Sequence, residues 1–157
     1  MQRQWAPVGT EDPDFAALLT GSHLRLVGRP LVDGALSPEE AARWLYRDAP
    51  FALLAHRPEA DPRFCYANLT AQRCFGYGWE EFVGLPSRLS AAGPERAERA
   101  RLLDDVTRQG FSNDYRGLRV AKSGAQFWIE GATVWNLVDA RGRLHGQAAA
   151  FSSVTPA

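Results

Sequence analysis

The chain has 157 residues, with 18 acidic and 18 basic side chains, so it lacks the one-signed field of a nucleic-acid binder and no such partner is expected. Its length suits one domain with its own core, which needs neither disulfide nor metal to fold. No apolar run reaches the roughly 18 residues of a membrane span and the N-terminus shows no signal-peptide pattern, so a cytoplasmic protein without a membrane partner is the expectation.

Asp12 followed by Pro13 is a helix start, a capping carboxylate before a proline whose missing N–H costs nothing there. Phe15, Leu18, Leu19, Ser22, His23 and Leu26 then recur at helical spacing and form one mostly apolar stripe. Gly28 and Pro30 stop that helix. In "SPEE", Ser37, Pro38 and Glu40 make a capping box for a second helix that runs to about Arg47, before Pro50.

From Phe51 the period shortens. "FALLAH" and "RFCYA" read as short strands around "RPEADP". Asn68 ends the second strand and caps a short helix closed by Gly76; Trp79–Val83 forms another, closed by Gly84. The segment 93–110 is a longer helix with Leu102, Leu103 and Val106 facing inward. Its charges read as a solvated face, with Glu95–Arg99 and Asp104–Arg108 as i,i+4 pairs. Three longer strands finish the chain at about 112–121, 125–138 and 143–154, joined through "KSGA" and "DARG". On the middle strand, alternation places Phe127, Ile129, Thr133, Trp135 and Leu137 on one side and Trp128, Ala132, Val134 and Val138 on the other. Both faces are therefore covered, the second by the N-terminal helices or by another copy of the protein.

Cys65 and Cys74 have no CxxC spacing and read as strand core and helix core. His23, His56 and His145 fall in separate segments, and no metal site is expected.

The stretch "YANLTAQRCFGYGWEEFVG" resembles the PAS pattern of an Asn ending the second strand, a Phe-Gly turn and a Glu-Glu helix closed by Gly. More narrowly, "FALLAHRPEADPRFCYAN", "GLPSRLSA", "ERARLL", "GFSNDYRGLRVAKSGAQFWIEGATVWNL" and "HGQAAAF" are similar to the MEKHLA branch of PAS-like domains, over about residues 15–151. That branch occurs as small bacterial proteins and at the C-terminus of some plant homeodomain-zipper regulators. The resemblance implies an α+β fold, a five-stranded antiparallel sheet in the order 2-1-5-4-3 with helices over one face. Residues 1–49 are then an N-terminal helical extension, packed on the other face or at a dimer interface, and 50–155 the PAS-like domain.

Strand alternation in that fold puts Tyr115, Arg119, Phe127, Ile129, Thr133, Trp135, Gln147, Ala149 and Phe151 under the helices. Two readings stay open. In one, these residues fill their own core and the domain is an interaction or dimerisation module. In the other, they line a pocket for a small carboxylate or aromatic metabolite, with Arg119 as its anion partner, because a buried guanidinium needs one; Glu130 and Asp114 are the internal alternatives. A flavin of the light-oxygen-voltage (LOV) type is not expected. The thiol segment aligns with the cysteine-free "GLPSRLSA", the ring-edge amides with Arg119 and Ile129, and the last-strand glutamine with Phe151. Nor is haem, since residues 94–109 contain no histidine. No nucleophile–base spacing, phosphate loop or HExxH appears, so a non-enzymatic sensor or adaptor is expected, acting through a homodimer or a partner protein.

Overall fold

The computed structural model describes residues 8–157. Helices α1 (Pro13–Val27) and α2 (Pro38–Arg47) lead into strands β1 (Ala52–His56) and β2 (Phe64–Ala67), short helices α3 (Leu69–Phe75) and α4 (Trp79–Phe82), and helix α5 (Arg96–Gln109). Strands β3 (Phe111–Val120), β4 (Gln126–Val138), β5 (Leu144–Phe151) and β6 (Ser153–Pro156) complete the chain. All pairings are antiparallel, in the expected order β2-β1-β5-β4-β3. The sixth strand was not anticipated. It continues past β5 after a break at Ser152 and pairs with the first half of β4, from Phe127 to Glu130.

The helix starts follow from local chemistry. Asp12 accepts from the backbone N–H groups of Asp14 and Phe15, and Ser37 and Glu40 complete both halves of their capping box. Asn68 does more than cap α3. Its Oδ1 accepts from Ala71 N at 2.9 Å and Leu53 N at 3.0 Å, and its Nδ2 donates to Leu45 O at 2.9 Å and Phe51 O at 3.0 Å. One fully buried side chain thus ties the end of α2, the start of β1 and the start of α3 together.

The sheet separates two cores. On one face α1 and α2 lay Phe15, Leu19 and Leu45 against Leu53, Tyr66, Trp135 and Leu137, each buried large side chain contributing about 1.5–3 kcal/mol. The N-terminal helices of the same chain therefore cover this face. Ser22 interrupts the stripe of α1 for a reason: its Oγ donates to Val138 O at 2.8 Å and accepts from Val138 N at 2.9 Å, fastening α1 to the end of β4. On the other face Phe75, Phe82 and Val106 from α3, α4 and α5 pack on Phe64, Phe127, Ile129, Val134 and Phe151.

Alternation along β4 does not hold throughout. Between the pairs Ser112–Val134 and Tyr115–Ala132, β3 carries one extra residue; between Tyr115–Ala132 and Gly117–Ile129 the extra residue is on β4. Asp114 and Gly131, at these two bulges, have φ of 58° and 64°. The parity of β4 reverses there. Phe127 and Ile129 lie under α3 and α5 as expected, but beyond Gly131 it is Ala132 and Val134 that do so. Trp135 and Leu137 turn to α1 and α2, and Thr133, which donates to Asn113 Oδ1 at 3.1 Å, turns with them.

Candidate functional site

A chamber of about 40 Å³ lies between the sheet and α5. Its walls are mostly apolar, from Leu54, Phe64, Phe75, Leu102, Leu103, Ile129, Val134, Ala149 and Phe151. Its polar groups are His56, Ser90, Arg99, Tyr115, Arg119 and Gln147. An open groove of about 570 Å³ between the β1–β2 loop and α5 shares His56, Arg99, Leu103 and Gln147 with it. These four residues stand between chamber and groove.

Of the residues expected at the site, Tyr115, Arg119, Ile129, Gln147, Ala149 and Phe151 line the chamber. Phe127 shares their face but packs on Phe75, ring centroids 5.2 Å apart, outside the lining. Thr133 and Trp135 do not face the chamber, because the bulge at Gly131 carries them to the opposite layer. There Trp135 meets the His23 ring edge-on at 4.8 Å.

Arg119 reaches across Gly117, donating to Leu118 O at 3.0 Å and to Tyr115 Oη at 3.3 Å. A Cβ on Gly117 would sit 2.4 Å from Tyr115 Oη and 2.8 Å from Arg119 Nη1, so only glycine leaves this route open. Tyr115 Oη in turn donates to Glu98 Oε2 at 3.0 Å. Neither internal partner considered for Arg119 serves: Glu130 pairs with Arg116 on the surface at 3.4 Å, and Asp114 forms no ion pair with it.

Arg99 is the residue that sequence reasoning missed. Glu95 falls in a 3₁₀ turn and makes no ion pair with it, whereas Arg108 pairs with Asp104 as expected, at 3.7 Å. Arg99 is only 8% exposed and its guanidinium makes no hydrogen bond or ion pair with any described residue. Burial, and then the neighbouring charge of Arg119, lower its pKa to about 10. The signal was available: Arg99 precedes Leu102, Leu103 and Val106 by three, four and seven positions, which is the inward stripe of α5.

His56 was expected to hydrogen-bond at the sheet's end, and its Nδ1 does contact Arg57 O, at 3.1 Å. Its Nε2 is buried with no partner among the described residues. Burial foremost, helped by Arg99, lowers its pKa to about 4, so the ring is neutral at physiological pH. Nδ1 holds the proton for Arg57, and Nε2 presents a lone pair. Gln147, its cross-strand neighbour, is held in a network: Nε2 reaches Thr107 Oγ1 at 2.9 Å, Leu103 O at 3.0 Å and Asn136 Oδ1 at 3.1 Å. Gln147 therefore docks α5 on the sheet.

Neither thiol suits nucleophilic chemistry. Burial pushes Cys65 up to about 12 and Cys74 up to about 11. Among the described residues no three His, Cys, Asp or Glu side chains group as a metal site, and no helix is long and apolar enough to cross a membrane.

A single antiparallel sheet in the order 2-1-5-4-3, with short helices and one longer helix roofing a chamber, is the PAS architecture. The PAS domain of a protein from Colwellia psychrerythraea aligns with a TM-score of 0.64 at 16% identity, over 73% of this chain and 93% of that one. A light-oxygen-voltage domain studied with a flavin analogue aligns at 0.55 with 18% identity, over 64% of this chain and 74% of that one. An RNA-binding light-oxygen-voltage receptor aligns at 0.59 with 20% identity, over 77% of this chain and 34% of that one. Within this fold, the chain belongs to the MEKHLA domain family, whose model matches residues 13–156 and so takes in both N-terminal helices. No curated protein matches it.

The residues present do not fit a flavin. The chamber of about 40 Å³ is far smaller than an isoalloxazine ring, and Arg119, Ile129 and Phe151 line the wall where the ring-edge amides and the glutamine would be needed.

Proposed function

We propose that the protein is a non-enzymatic sensory or regulatory domain that binds a small molecule between its sheet and α5 and passes the bound state to a partner or a second copy. One observation carries this reading: two arginines, Arg99 and Arg119, are buried at a chamber that shares part of its wall with an open groove, without a carboxylate beside them. A core built only for stability gains nothing from such a pair. The remaining residues of the site are Tyr115, Ile129, Gln147 and Phe151. Transmission would run through the sheet, because Trp135 and Leu137 on its reverse carry α1 and α2. α1 also exposes Leu24, 53% accessible, as a point of contact for a partner or a second copy. A response requires the ligand to favour one of two states of that packing.

Native mass spectrometry of freshly purified protein, together with melting temperatures across a metabolite library, tests the proposal. A retained adduct or a saturable thermal shift, lost in Arg119→Leu, supports it. No adduct and no shift with any compound overturns it. The small size of the chamber favours the second reading, a self-filled dimerisation module. That reading predicts an Arg119→Leu variant that still dimerises and, like the parent, responds to no compound, and a dimer broken by Leu24→Asp.

A further inference from the structure

The dimensions and charge of the chamber narrow the ligand, given that a small molecule binds there. One water needs about 10–15 Å³ of such space, and a cavity of about 150 Å³ accommodates benzene. At about 40 Å³ the chamber has room for about three or four water-sized groups, a carboxylate with a carbon beyond it and no aromatic ring.

The charges are unbalanced. Arg99 and Arg119 are 8% and 7% exposed, and the hydrogen bonds of Arg119 go to neutral oxygens. Glu98 touches the pair only through the Tyr115 hydroxyl. Neutral His56 adds no charge. Two cations against one indirect anion leave one negative charge missing, in surroundings where each unpaired charge is costly. Arg99 also lines the outer groove and so stands between that groove and the apolar wall of the chamber.

We propose that the chamber binds a short-chain aliphatic monocarboxylate, its carboxylate held by Arg99 and Arg119 and its carbon tail against Leu102, Ile129, Val134 and Phe151. A guanidinium matches a carboxylate in both charge and planar geometry, which a lysine would not. The short tail fits the remaining space, and a single charge completes the balance. A dicarboxylate would overshoot it, and an aromatic acid would not enter.

The test uses the full chain, with thermal melts and calorimetric titration of sodium acetate, propionate and butyrate against sodium chloride at equal ionic strength. Propionamide is the neutral isostere; benzoate and benzamide are the aromatic probes. At least one of the three carboxylates should bind saturably, about tenfold or more tighter than propionamide. Binding should weaken by about tenfold or more in Arg99→Gln and in Arg119→Gln. It should persist in Arg101→Gln, a change on the exposed side of α5. Carboxylates no better than chloride or propionamide, or undiminished in Arg99→Gln, overturn the assignment. If benzamide or propionamide binds while the carboxylates do not, this inference falls and the ligand-binding reading stands. If no probe and no library compound binds, both fall.

Discussion

Arg99 on α5 and Arg119 on β3 line the same chamber from opposite layers of the fold, and the charge of Arg119 is felt at Arg99 across a space lined by no carboxylate. Like charges buried together oppose folding, so this relationship has a thermodynamic signature of its own.

Replacing one of them with an apolar side chain of similar volume should stabilise the protein. Arg99→Met is expected to raise unfolding free energy by about 1–3 kcal/mol in urea titrations without added carboxylate. Arg101→Met, at an exposed position on the same helix, should stay within about 0.5 kcal/mol of the parent. Loss of stability in Arg99→Met would mean that the guanidinium has a partner in the empty protein.

His56 makes stability depend on pH in a definite direction. Its pKa falls from 6.5 to about 4 on folding, so between these values the unfolded chain binds a proton that the folded chain does not. Its contribution is complete above the unfolded value and is lost as pH falls toward the folded one. Between pH 7 and pH 4 the parent should lose up to about 3 kcal/mol more than His56→Gln. His23, lowered chiefly by burial, acts in the same direction but is common to both proteins. Denaturant titrations of both at a series of pH values check this, and parallel curves would remove His56 from the account.

Two glycines should respond differently to alanine. At Gly146, with φ of 137°, an added Cβ would lie 2.1 Å from the backbone oxygen of His56. Neither side can yield, and Gly146→Ala should cost more than about 3 kcal/mol or prevent folding. At Gly117 the obstacles are the ends of the Tyr115 and Arg119 side chains. Gly117→Ala should keep stability within about 1–2 kcal/mol while expelling Arg119 from Tyr115. Nitrogen-edited NMR of the arginine side chains would show the Arg119 signal shifted and that of Arg116 in place.

Asn68→Ala removes two acceptor and two donor contacts at a fully buried position. Leaving several backbone groups unsatisfied should cost about 3 kcal/mol or more. Asn68→Asp keeps the acceptor for Ala71 N and Leu53 N and should fall between Ala and the parent in chemical denaturation. Equal losses in the two variants would assign the whole effect to the donor side.

Element order, helix starts and strand order were legible in the residues because they rest on local chemistry and on motifs in register. The capping box of Ser37 and Glu40 formed as expected, as did the cap at Asn68, the left-handed glycine Gly28 that ends α1, and the inward Tyr115, Arg119 and Gln147. The family resemblance carried the 2-1-5-4-3 order, which no single segment encodes.

Thr133 and Trp135 were assigned to the wrong layer because alternation was extended through Gly131, and a bulge exists only in the ladder between two strands. Arg99 was read as solvated because a charge on a helix is normally turned to water. What faces that helix position is decided by the sheet, and the sheet offers it Arg119 and Tyr115 in place of solvent. Sequence alone thus determined which segments become helix and strand, since caps, turns and periodicity act within a few residues. Only the tertiary structure decided which side chains meet in the chamber, since burial and cross-strand register depend on neighbours far apart in the chain.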